Sequence, residues 1–139
     1  MTGFKAAPFV EPAMGYLYGG RQAFNARQYR VKLDGEWATG VADNVTRIGG
    51  RSVAVDAKYV RNWATSIRNP RSPMALGSLF GHSRMFAKNE RLTMLAQARK
   101  YSAAFDEVIY HSNSPELINY YSRLFNKYGL SNVSFKHTP

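Results

Sequence analysis

At 139 residues, 45% of them hydrophobic, the chain is long enough to bury one proper core and too short for two. The absence of cysteine excludes a disulfide framework, a thiolate nucleophile and a cysteine-ligated zinc site. Nineteen Lys and Arg against nine Asp and Glu leave a net charge of +10, the balance of a protein whose partner is a polyanion, nucleic acid first and an acidic protein second.

In chain order, residues 1–18 carry Pro8, Pro12 and scattered aromatics without a helical or strand period, and read as a lead-in or linker remnant. The remaining residues, 19–139, read as one domain. The start lacks the basic-then-apolar order of a signal peptide, and no apolar run approaches the ~20 residues that span a bilayer. From Gly19 to Lys32, Phe24, Tyr29 and Val31 among polar residues predict a first helix, and Asp34-Gly35 is a turn signal with a strand starting near Glu36-Trp37. Thr39 to Val60 reads as a β-hairpin closed at Gly49-Gly50, with Val41, Val45, Ile48, Val53, Val55 and Tyr59 as strand-favouring residues. A two-residue turn sets Ile48 against Arg51 and Asp43 against Asp56. Side chains two apart on a strand share a face, so Lys58 joins Asp56 and Asp43, while Val53, Val55, Ala57 and Tyr59 form an opposite, apolar face.

Arg61 to Lys88, with Pro70, Pro73, Gly77 and Gly81, reads as a long basic loop. Between Arg61 and Ala104 lie eight basic residues and one acid, Glu90, so +7 of the net charge sits in that third of the chain. Met94, Ala98, Tyr101 and Phe105 then recur at helical spacing over Met85 to Phe105, Asp106 to His111 reads as a buried strand, and Ser114-Pro115 supplies the N-cap and first-turn proline of a second helix that ends at Gly129. Val133 to Lys136 is a short final strand. The order helix, strand, strand, helix, strand, helix, strand describes an α/β sandwich with a mixed sheet.

Two carboxylates directly opposite each other repel by roughly 3 kcal/mol at a separation of about 5 Å, a cost that a divalent cation between them reverses. Hard cations such as Mg²⁺ accept one or two carboxylates and leave positions for water and substrate phosphate, and Lys58 is placed to orient an attacking water or an anionic oxygen. The plainer alternative is a polar sheet face on which Lys58 neutralises a neighbouring aspartate. Histidine offers less: His82, His111 and His137 have no ligand spacing, and neither a G-x-S-x-G elbow nor a phosphate-cradling loop occurs.

Asp43, then Asp56-Ala57-Lys58 on a following strand, then a helix bearing Gln97 and Tyr101, resembles the PD-(D/E)xK nuclease superfamily, although no proline precedes Asp43 and the D-x-K acid is Asp rather than the commoner Glu. The run GVADNV, VAVDAKYV, SIRNP, MLAQARKYSAAFDEVIYHSNSPEL is similar to the restriction-endonuclease-like toxin domains at the C-termini of bacterial polymorphic toxins of the contact-dependent inhibition, Rhs and type VI kinds. The resemblance covers about residues 20–135. It implies a restriction-endonuclease-like sandwich, with a central mixed sheet flanked by helices. It further implies a metal-dependent nuclease, from a superfamily with members acting on chromosomal DNA and on transfer RNA, DNA being favoured here over transfer RNA, secreted within a larger toxin, active in the cytoplasm of a competing bacterium and neutralised by an acidic immunity protein. By position it implies Asp43 and Asp56 as ligands of Mg²⁺ or Mn²⁺, Lys58 as the residue that positions water, Gln97 as its support and Tyr101 as a phosphate or base contact. Arg61, Arg68, Arg71, Arg84 and Lys100 would hold substrate. Glu90, on a similar helical face to Gln97, is a further possible ligand, or a helix-start acid near the dipole.

The alternative from another class is a nucleic-acid-binding module without chemistry, in which Arg61, Arg68, Arg71 and Arg84 grip phosphate while Trp63, Phe80 or Phe86 stack on bases. Paired acids separate the two readings, since a pure binder gains nothing from two carboxylates in a basic surface.

Overall fold

A computed structural model of the chain describes residues 8–14, 17–18, 21–22, 24–66, 68–69 and 82–139, with backbone alone for 17–18, 21–22 and 82–89. Strands come first: β1 (Phe9–Pro12), β2 (Leu17–Tyr18), β3 (Arg21–Gln22), β4 (Arg27–Leu33), β5 (Glu36–Ala42), β6 (Asn44–Ile48) and β7 (Arg51–Ala57). A 3₁₀ turn at Trp63–Thr65, helix α1 (His82–Ala104), strand β8 (Glu107–Ser112), helix α2 (Pro115–Lys127) and strand β9 (Val133–His137) complete the order.

The helix expected over 19–32 is instead a strand over its second half. In Arg27–Leu33 the buried or half-buried Tyr29, Val31 and Leu33 alternate with the more exposed Gln28, Arg30 and Lys32, which is the period of two. Phe24, counted into the helical stripe, lies exposed in the turn before β4. The segment read as a linker remnant also contributes structure, because β1 pairs antiparallel with β4 and β2 with β3. Asp34-Gly35 makes the expected turn: both residues hold positive φ, at 50° and 83°, and Leu33 pairs with Glu36.

The second hairpin has the expected register, with Ile48 against Arg51 and Asn44 against Val55, and with Gly49 and Gly50 both at positive φ. Its first strand is shorter than expected. Thr39 to Ala42 belong to β5 and pair with β4 in a three-stranded sheet, order β1-β4-β5, and Asp43 is the bend from which the chain passes into β6 and a different sheet. That second sheet has the order β6-β7-β8-β9, antiparallel at β6-β7 and parallel at β7-β8 and β8-β9, so it is mixed. The parallel steps are bridged by α1 and α2, as parallel strands require.

The helical stripe is where the spacing put it, since Met94, Ala98, Tyr101 and Phe105 are all buried. In α2 the Ser114 hydroxyl accepts from the Leu117 amide at 3.1 Å, Pro115 opens the helix, and Leu117, Tyr121 and Phe125 turn inward. These residues form one core with Tyr29 and Val31 of β4 and with Ala54, Val108 and Tyr110 of the mixed sheet. The assignment of sheet faces is therefore corrected. Asp56 lies on the face of Ala54, which packs against the core, and not on an open polar face. Val53, on the other face, is also fully buried, but Val55 is only half-buried and Ala57 and Tyr59 are exposed. The architecture is a mixed α/β fold of two main sheets and two helices, and none of its described helices is long and apolar enough to cross a membrane.

Candidate active site at the end of strand β7

β7 delivers Asp56 as its penultimate residue, and the backbone beyond it is pinned so that Lys58 has a fixed origin. The Lys58 amide donates to the His111 carbonyl at 2.7 Å. Two residues on, Asn113 accepts from the Val60 amide at 2.9 Å and donates to the Val60 carbonyl at 2.8 Å. The Lys58 ammonium then lies 3.4 Å from Asp56 Oδ2, with the side chains 14% and 7% exposed. The other Asp56 oxygen accepts from the Ala57 amide at 2.7 Å.

Across the parallel ladder Asp56 is paired with Tyr110, and the Lys58 ammonium sits 5.9 Å from the Tyr110 ring centroid, within reach of its π face. Tyr110 donates its hydroxyl to Gln97 Oε1 at 3.0 Å, and Gln97 Nε2 lies 3.5 Å from the Tyr101 hydroxyl. Helix α1 is thus tied to the strand beside Asp56 through Gln97. Burial, and after it the nearby Tyr101, Asp56 and Tyr29 groups, push the Tyr110 phenol well above its ordinary pKa, so at neutral pH it remains a donor to Gln97. Burial also raises Tyr29, to about 12. Tyr29 packs edge-on against Tyr101 at 5.9 Å between centroids. A Cβ at Gly40 would lie 2.5 Å from the Tyr29 hydroxyl, so only glycine leaves room for that phenol.

Of the residues singled out in the sequence, Asp56 contacts Lys58 and Gln97 contacts Tyr101, and Tyr110 joins the two pairs. Tyr101 is 3% exposed and completes the core stripe, reaching the site through Gln97. Asp43 occupies the bend one residue beyond the last β6-β7 pair, Asn44 with Val55, so the expected pairing of Asp43 with Asp56 is not part of the ladder. Arg68 donates to Glu90 at 3.1 Å and to the Tyr59 carbonyl at 3.0 Å, which gives Glu90 an ion-pair role. Lys100 reaches the Thr39 carbonyl at 3.4 Å, Arg61 is exposed, and the backbone of Arg84 lies in the first turn of α1. Arg71 and Phe80 lie outside the described residues. Tyr110 and Asn113 escaped the sequence reading: Tyr110 sits in an apolar run that looks like any core strand, and both act only through the β7-β8 register.

Among the described residues no group of three or more His, Cys, Asp and Glu side chains is placed to hold a metal ion. Of the two carboxylates expected to hold a cation, Asp56 has one oxygen on the Lys58 ammonium and the other on the Ala57 amide, and Asp43 lies at the bend before β6. Two carboxylates as the only protein ligands would suit Mg²⁺ or Mn²⁺ retaining several waters rather than a closed protein cage. Asp56 and Lys58 line none of the three described cavities; the one that starts nearest, of about 380 Å³, runs from Tyr59 and Arg61 to Arg68 and Glu90. No protein-family model, curated protein or solved structure matches the chain.

Proposed function

We propose that the chain is a metal-dependent nuclease of restriction-endonuclease-like fold that hydrolyses phosphodiester bonds, with DNA favoured over transfer RNA. The observation that carries this reading is the set of contacts that seats Gln97 on Tyr110, the strand partner of Asp56, with the Lys58 ammonium over the same ring. A carboxylate and an ammonium at the end of one strand and an amide from a helix are thus linked through Tyr110, in the order the superfamily resemblance implies.

A cation held by Asp43 and Asp56 would supply Lewis acidity and a bound water of lowered pKa. The chain's own residues do the rest. Lys58 holds an anionic phosphate oxygen or aligns the attacking water, and its charge opposes the negative charge that develops as the new P–O bond forms and the old one breaks. Gln97 accepts from Tyr110 and turns its Nε2 to the Tyr101 hydroxyl, so its amide is fixed between strand β8 and helix α1. Arg61, Arg84 and Lys100, on the same basic third of the chain as Arg71, gather the phosphate backbone. The toxin setting, delivery within a larger protein into a competing cell and neutralisation by an acidic immunity protein, belongs to the same proposal and rests on the resemblance.

The enclosure of Asp56, 7% exposed and ion-paired, favours the second reading, a nucleic-acid-binding module in which Asp56 and Lys58 are a structural pair. Incubating the purified chain with plasmid, genomic DNA and total RNA in Mg²⁺, Mn²⁺ or EDTA separates the two. A nuclease shortens one pool with metal and none in chelator, whereas a binding module retards nucleic acid and shortens nothing.

A further inference from the structure

A second cleft lies away from Asp56, where α2 meets the 3₁₀ turn. It has a volume of about 510 Å³ and is lined by Trp63, Glu116, Asn119, Tyr120, Arg123 and Lys127 among others. The α2 residues recur every three or four positions, so they form a stripe beside the inward-facing Leu117, Tyr121 and Phe125. The aromatic end is built. Trp63 and Tyr120 stand 6.3 Å apart at 48°, Tyr120 meets Tyr121 edge-on at 4.9 Å, and the Trp63 carbonyl accepts from the largely buried Asn69 side chain at 3.0 Å. Trp63 and Tyr120 are both half-buried, which leaves part of each ring open to a ligand.

We propose that this cleft is a subsite for single-stranded nucleic acid, with an unstacked base against Trp63 and Tyr120 and backbone phosphate on Arg123 and Lys127. The inference rests on the nuclease reading only for its substrate class. A half-buried aromatic pair offers a stacking platform that a paired, stacked base cannot use, so the cleft selects single strands over duplex. Glu116 and Asn119 lie at the aromatic end, where a carboxylate and an amide suit the N–H donors of a base edge, and the two cations lie further along the helix. From Glu116 to Lys127 the helix rises ~16 Å, longer than one nucleotide, so a short stretch of strand fits better than a free base. The carboxylate at Glu116 argues against an acidic peptide in the same place.

The test uses binding in EDTA, so that it does not depend on cleavage. In a Trp37→Phe chain the remaining tryptophan is Trp63, and a single-stranded oligothymidylate should quench its fluorescence saturably. By anisotropy of a labelled strand, Trp63→Leu should weaken binding about tenfold or more. Arg123→Ala with Lys127→Ala should weaken binding and flatten its salt dependence. Duplex of the same length should lose much less in each variant. Because Trp63 also packs on the core, the exposed Arg123 and Lys127 pair decides the matter if Trp63→Leu fails to fold. Absence of quenching, quenching by polyglutamate in place of the oligonucleotide, or equal losses for single strand and duplex would overturn the subsite. A chain that cleaves with metal but shows no Trp63 quenching fails this inference alone. A chain that quenches but never cleaves fails the nuclease reading alone.

Discussion

The Lys58 ammonium is the largest favourable charge beside Asp56, whose side chain is only 7% exposed. Removing one partner of an enclosed ion pair leaves the other uncompensated, which is costlier than removing both. Lys58→Met should therefore destabilise the fold by about 3 kcal/mol in urea denaturation, and adding Asp56→Asn should restore much of that loss. Equal stability of the single and double variants would mean that water already screens the pair. The proximity of Asp56 to Lys58 was legible, since the two stand two apart at the end of one strand, and so was that of Gln97 to Tyr101, one helical turn on. Tyr110 was not legible, because nothing in DEVIYH marks one aromatic as a hydrogen-bond donor to a helix until the β7-β8 ladder is known.

At the level of elements, the end of α1 is stapled to β7 by Asp106, whose carboxylate accepts from the Ser52 amide at 2.9 Å and from its hydroxyl at 3.3 Å. The Ser52 amide, with Arg51 and Arg47 nearby, holds that carboxyl below its ordinary 3.8. A depressed carboxylate stabilises the fold above its unfolded pKa and loses that contribution as pH falls through the folded value. Asp106→Asn should thus melt below the natural chain at pH 7, and the two melting temperatures should converge as the pH falls below about 3.8. A gap that stays constant down to about pH 2 would contradict the linkage. Elements with strong local signals were legible, as the Ser114-Pro115 start of α2 and the Met94-Ala98-Tyr101-Phe105 stripe show. β4 was missed because its three alternating apolar residues adjoin Phe24 and mimic a helical stripe. The break at Asp43 was missed because whether Thr39 to Ala42 stay with β6 or join β4 is decided by long-range pairing, and both partners suit the same residues.

Across the whole molecule, the chain carries a charge of +10 while Asp56 itself is enclosed. The charge makes association with nucleic acid steep in salt whether or not chemistry follows, so binding alone is a poor test. The mixed sheet with helices on its parallel connections was legible as a class, and the separate three-stranded sheet was not, since strand order depends on contacts between distant segments. Cleavage by the Asp56→Asn chain, compared with the natural chain on the same nucleic acid in Mg²⁺, is the most direct measurement. The variant keeps the shape of Asp56 and removes its charge. The nuclease account predicts at least a hundredfold loss of rate, in line with about 10²–10³ for one electrostatic contact, with nucleic-acid affinity nearly unchanged, at a temperature where the variant, weakened by leaving Lys58 uncompensated, is still folded. Undiminished cleavage by that folded variant would contradict it.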